Sequence, residues 1–185
     1  MDSLNPIKRP VIALDVDGVL NAYRMGPLQP GWKRFDVEMR AENIPESPFA
    51  YGPETIAVTL NPALHGPWIT ALRQHADVVW ATTWEQAAND LLAPLLGIDP
   101  LPVGISAAQQ PPSAKHLAPR DSTAWKAEAL SAAFPDRPLV WVDDQNAAYP
   151  LQVPVHLKVD PDPWDGLSPS QMKQISAWVE AHSSS

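Results

Sequence analysis

A run of four apolar residues, Val11-Ile12-Ala13-Leu14, stops at two carboxylates spaced by one residue, Asp15 and Asp17, and then at Gly18. So short an apolar run, closed by glycine, reads as a strand buried on both faces, as in a parallel sheet. Two more runs have the same form. Val78-Val79-Trp80-Ala81 leads into Thr82-Thr83, and Leu139-Val140-Trp141-Val142 leads into Asp143-Asp144. Between them lie stretches with helical spacing. Asn61-Pro62 opens a helix to about His75, with Asn61 as N-cap and Pro62 in the first turn, although Gly66-Pro67 threatens a break. Glu85 to Leu96 reads as a helix stopped by Gly97, Thr123 to Phe134 as one capped by Ser122 or Asp121, and Ser168 to His182 as a closing amphipathic helix. Leu101–Ile105 and Val153–Val159 are expected to add strands, and Gln109–Pro119 to form a Pro-rich loop. Strands alternating with helices imply a parallel sheet with helices on both faces, joined by right-handed crossovers.

One region breaks the alternation. Residues 22–60 carry five prolines and three glycines by Gly52-Pro53 and allow no long element. Within them Trp32–Arg40 alternates loosely and Thr55–Leu60 is rich in β-branched residues, so both are expected as short strands of a hairpin or flap over the end of the first strand. This insertion is too small to form a cap domain with its own core. No internal repeat or linker divides the chain, and its 185 residues suit a single domain, 1–185.

Composition narrows the function classes. No apolar stretch approaches a membrane span, and Val11–Leu14 is too short for a signal-peptide core, so no membrane role is expected. Zero cysteines exclude disulfides and thiolate metal sites and suit the cytoplasm. A formal net charge of −8 argues against tight non-specific binding to nucleic acid.

Ligands of such sheets bind beyond the carboxyl ends of the strands, so the residues found there can be compared. Those ends gather Asp15, Asp17, Thr82, Thr83, Asp143 and Asp144, and Lys126 near the start of its helix can reach the same crevice. Carboxylates that close raise one another's pKa unless a cation neutralises them, which calls for a hard metal such as Mg²⁺. Lys115 and Arg120 are alternatives to Lys126 should that helix begin earlier. The five histidines show no ligand spacing and read as structural or solvent-facing. Trp68, Trp80, Trp141 and Trp178 read as core. Trp84 and Trp32 are candidates to stack on a ring at the mouth, with packing the simpler role for each. Lys33, Arg34 and Arg40 form a small basic cluster in the insertion.

The ordered set Asp15-Val16-Asp17-Gly18-Val19-Leu20-Asn21, Thr82, Lys126 and Asp143-Asp144 resembles the four motifs of the haloacid dehalogenase superfamily of phosphohydrolases and phosphotransferases, and more loosely the branch associated with bacterial RNA-repair proteins. The resemblance implies a Rossmann-like α/β fold without a large cap, and a Mg²⁺-dependent phosphatase. Asp15 would attack phosphorus to give an aspartyl-phosphate, and Asp17 would serve as general acid and base. Thr82 would bind a phosphate oxygen and Lys126 would face the phosphorylated aspartate. Metal would be held by Asp15, the Asp17 main-chain carbonyl and the Asp143-Asp144 pair, with Asp144 the favoured ligand of the two. Gly18, Asn21, Thr83 and Trp84 are the candidate substrate contacts. The expected partner is a phosphorylated substrate, a nucleotide, a nucleic-acid end or another small molecule. The alternatives are a phosphotransferase of the same chemistry and a non-catalytic metal- or partner-binding module.

Overall fold

The computed structural model describes residues 8–40, 54–109 and 123–183. In chain order the elements are β1 (Val11–Leu14), β2 (Lys33–Met39), β3 (Glu54–Leu60), α1 (Pro62–Leu72), β4 (Asp77–Trp80), α2 (Ala93–Leu96), α3 (Ala124–Ala133), β5 (Leu139–Val142), β6 (His156–Val159) and α4 (Pro169–His182). Four strands form one parallel sheet in the order β4-β1-β5-β6. The chain is thus α/β, with a parallel sheet flanked by helices. No helix among the described residues is long and apolar enough to cross a membrane.

The period of two along a strand decides what each face meets. Ile12 and Leu14 of β1, with Val140 and Val142 of β5, join a core containing Ile69 and Leu72 of α1, Leu96 of α2 and Ile175 and Val179 of α4. Val11 and Ala13, with Leu139 and Trp141, point the other way and pack on Trp125 and Leu130 of α3. β1 and β5 are buried throughout, so apolar side chains are needed on both faces and the sequence reads as an unbroken apolar run. Strand order reverses at β1: the chain steps out to β4 on one side, then returns past β1 to β5 on the other. The switch point therefore lies between the ends of β1 and β5.

β2 and β3 pair antiparallel from Lys33 opposite Leu60 to Met39 opposite Glu54. Phe35, Val37, Met39, Ile56, Val58 and Leu60 face the main core, while Arg34, Asp36 and Glu38 face water. The basic cluster is broken up by its neighbours: Arg40 donates to Glu38 at 2.9 Å and Arg34 to the carbonyl of Arg24 at 3.3 Å.

Several boundaries differ from the sequence reading. α1 runs through Gly66-Pro67 without breaking and ends at Leu72. Glycine is required at 66, because a Cβ there would meet the Leu96 carbonyl oxygen, and the Thr70 hydroxyl donates to the Gly66 carbonyl at 3.0 Å. Leu101–Ile105 forms a single bridge, Val103 with Trp80, rather than a strand, since Pro100 and Pro102 offer no N–H to extend the ladder. β6 begins only at His156, past Pro154. The expected Glu85–Leu96 helix is a π-helical stretch, Ala88–Leu92, passing into α2 near Pro94 and ended by left-handed Gly97. Thr123 is the N-cap residue of α3. Asp121, Ser122, Lys115, Arg120 and most of the Gln109–Pro119 loop lie outside the described residues.

Candidate active site

The alternation that sorts β1 and β5 between two faces continues one residue past each strand. Asp15 follows Val11 and Ala13, and Asp143 follows Leu139 and Trp141, on the side where α3 packs. Lys126, in the first turn of α3, is buried there, and its Nζ donates to Asp15 Oδ2 at 2.7 Å and to Asp143 Oδ2 at 2.8 Å. The other oxygens are also held: Asp15 Oδ1 accepts the Val16 N–H at 2.8 Å, and Asp143 Oδ1 the Gln145 N–H at 2.9 Å. Asp144 completes the group. One carboxylate oxygen from each of Asp15, Asp143 and Asp144 lies within 4.8 Å of the others.

Among the described residues, charge in this group does not balance. Three carboxylates face one ammonium, which leaves about two negative charges in a largely buried crevice. Burial pushes the Asp15 carboxyl well up from the usual carboxylate range; Lys126 pulls it down, and Asp143 and Asp17 push it up again. Burial, then Asp143, raises Asp144 to about 6. Burial works to lower Lys126, but Asp15 and Asp143 outweigh it and hold the amine above its ordinary value. Burial first, and then the crowding of carboxylates, makes Asp15 and Asp144 hold their protons, and the same carboxylates raise Lys126. An all-oxygen donor set with excess negative charge fits a hard divalent cation.

Asp17 stands apart, and the turn after β1 is the reason. The Val16 carbonyl accepts the N–H groups of Val19, Leu20 and Asn21, while Gly18 takes φ +72°. This coil carries the Asp17 side chain away from the cluster to two donors. The indole N–H of Trp84 reaches Asp17 Oδ2 at 2.8 Å, and Asn21 Nδ2 reaches Oδ1 at 2.7 Å. Asn21 is also the tie to the hairpin, since its Oδ1 accepts the Thr59 N–H at 2.8 Å. Trp84 is 5% exposed and packs in the main core, so it supports Asp17 with its edge rather than offering a face to a ring. Glu85, next in the chain, has φ 46°, a left-handed backbone at the turn that seats Trp84.

The remaining candidates divide. Thr82 is buried at the end of β4, its Oγ1 accepting the Trp84 N–H at 3.3 Å, whereas Thr83 faces solvent. Gly18 abuts Asp144: a Cβ there would lie 2.5 Å from Asp144 Cγ, so only glycine leaves that carboxylate its place. Trp32 is half-buried, edge-on to His65 and under the Arg24 guanidinium. Sequence reasoning singled out neither Tyr23 nor Trp164, which stand exposed at the mouth. Burial, followed by the charges of Asp17, Asp144 and Asp15, drives the Tyr23 phenol above its usual range, which sets it within electrostatic reach of the acids. Nothing in a lone Tyr or Trp in a loop signals such a position. A scan against protein-family models, a search of the curated proteins and a search of the solved structures each return no match, so the functional reading rests on these residues.

Proposed function

We propose that this chain is a Mg²⁺-dependent phosphomonoester hydrolase of the haloacid dehalogenase type. The observation that carries the reading is the unequal treatment of two aspartates two residues apart. Asp15 lies in the cation-hungry cluster against Lys126, while Asp17 is held outside it by Trp84 and Asn21. Two carboxylates in different surroundings are suited to different tasks. The motif order that resembles the superfamily points the same way.

Asp15, Asp143 and Asp144 would hold the metal, which supplies charge neutralisation and polarises the phosphate. An Asp15 oxygen forms a bond to phosphorus as the bond to the leaving oxygen breaks, and Asp17 gives that oxygen its proton. Asp17 then takes a proton from water as the water oxygen attacks phosphorus, which releases inorganic phosphate and restores the Asp15 carboxylate. Lys126 fixes the orientation of Asp15. Thr82, whose oxygen accepts one bond, keeps a hydroxyl proton for a phosphate oxygen. Hydrolysis of an aryl phosphate with Mg²⁺ tests the reading. Turnover should vanish with EDTA and fall by about 10³-fold or more in Asp15→Asn, the fold remaining intact. Turnover at the parent rate in Asp15→Asn would refute it.

A further inference from the structure

Beside the acid cluster lies a cavity of about 450 Å³, whose wall includes Asp144 and Asp160 together with apolar surface from Ala147, Tyr149 and Pro163. That size suits a small organic molecule. Pro163 links the cavity to two exposed rings. Its carbonyl accepts the Tyr23 N–H at 2.8 Å, and Trp164 follows it in the chain. The two rings meet edge to face, centroids 6.3 Å apart at 78°. Trp164 is 57% exposed and Tyr23 45%, while the other seven tryptophans are buried or half-buried. A chain that packs its tryptophans so thoroughly leaves one in water, paired with a tyrosine, beside the crevice where phosphate chemistry is proposed.

Resting on the phosphatase reading, we infer that Trp164, set edge to face with Tyr23, offers a stacking platform to a nucleobase, and that the substrate class is a free nucleoside monophosphate. Its phosphate lies at Asp15 and its base on the Trp164 ring, where stacking is tolerant of base identity. A nucleic-acid strand would offer the same terminal nucleotide, but its further phosphates would add negative charge beside Asp160 in the cavity wall and Asp162, which accepts the Trp164 N–H, on a chain of net charge −8.

The test is equilibrium binding to the full chain with Mg²⁺, using probes that cannot be hydrolysed: the adenosine phosphonate with methylene in place of the bridging oxygen, and methylphosphonate. The adenosine probe should bind about tenfold more tightly. Trp164→Ala should abolish this preference and leave methylphosphonate affinity unchanged, while Trp164→Phe retains most of it. Equal binding of the two probes to the parent, or an unaltered preference in Trp164→Ala, would overturn the platform and leave the phosphatase reading standing. Failure of both probes to bind would overturn both. An oligonucleotide bearing the same 5′-phosphonate should bind more weakly than the free nucleoside probe; tighter binding would overturn the assignment to free nucleotides.

Discussion

Two buried polar groups sit against the same sheet and differ in one respect. Around Asn89, in the π-helical stretch, every bond closes on a neutral partner. Asn89 Oδ1 accepts the Trp80 indole N–H and the Leu101 N–H, both at 2.8 Å, and Nδ2 donates to the Leu101 carbonyl at 2.8 Å and to Gln86 Oε1 at 3.3 Å. Around Lys126 the hydrogen bonds are equally short, but among the described residues the charges do not cancel. A closed neutral network fixes one conformation and asks for nothing more. A group with charge left over is stable only with protons or a cation, so it stores an affinity. The first network belongs to the fold; the second is where the proposed chemistry would take place.

Removing Asn89 tests the first half of this contrast and should have the largest effect on stability. Asn89→Ala strands the Trp80 N–H and both main-chain groups of Leu101 in the core. At roughly 1–3 kcal/mol for each buried unsatisfied group, with partial relaxation, the loss should be about 4 kcal/mol in urea unfolding. Turnover per folded molecule should be unchanged. A cost below about 1 kcal/mol would break the contrast.

His65 extends it to a group that can titrate. The ring is fully buried on α1, with Nε2 at 3.2 Å from the Leu167 carbonyl, and burial lowers its pKa from 6.5 to about 4 against the opposing pull of that carbonyl. The unfolded chain gains a proton below pH 6.5, and the folded chain does so only near pH 4. The stability that comes from keeping His65 neutral is therefore complete above pH 6.5 and lost as pH falls towards 4, by about 3 kcal/mol in all. Unfolding free energies measured between pH 7 and pH 4 should show this slope, and His65→Leu should remove its share. An identical slope in the variant would show that other groups carry the acid sensitivity.

How far the sequence discloses these sites follows from the range of the contacts. β1, β4 and β5 are legible because strands buried on both faces must be apolar throughout, and the strand-end acids are legible because nothing in folding calls for them. Lys126 can be proposed because the helix before β5 starts at the carboxyl edge of the sheet. Strand ends are less legible where proline intervenes, as at Leu101–Ile105 and before His156. The support of Asp17 by Trp84 spans 67 residues, and the bridge from Asn89 to Leu101 runs from a helical stretch to a loop. Both depend on where an edge of a side chain points after packing, which no local pattern encodes. The same holds for Tyr23 and Trp164, which the sheet brings to one mouth from opposite ends of the chain.

The smallest predicted effect has the opposite sign, and that sign separates the two groups most sharply. Breaking Asn89's network costs stability; neutralising Asp144 should add it. Asp144 is raised from 3.8 to about 6, so without metal the folded state resists its ionisation. Below about pH 4 both states hold the proton and the penalty is absent; it grows as pH rises and is complete above about 6. Because Asp144 is only half-buried, solvent screening reduces the penalty to about 1 kcal/mol. Asp144→Asn should therefore stabilise the metal-free protein by about 1 kcal/mol at pH 7.5 and leave it unchanged near pH 4. Mg²⁺ should reverse the order, since a ligand that binds only the folded state adds about 2.7 kcal/mol at a hundredfold excess over Kd, and the variant has lost one of three carboxylates. Thermal unfolding with EDTA and with Mg²⁺ would show the two curves exchange places. If Asp144→Asn were the less stable protein in EDTA, the acid cluster would be a closed structural network like that of Asn89, and its carboxylates would be no sign of a metal site.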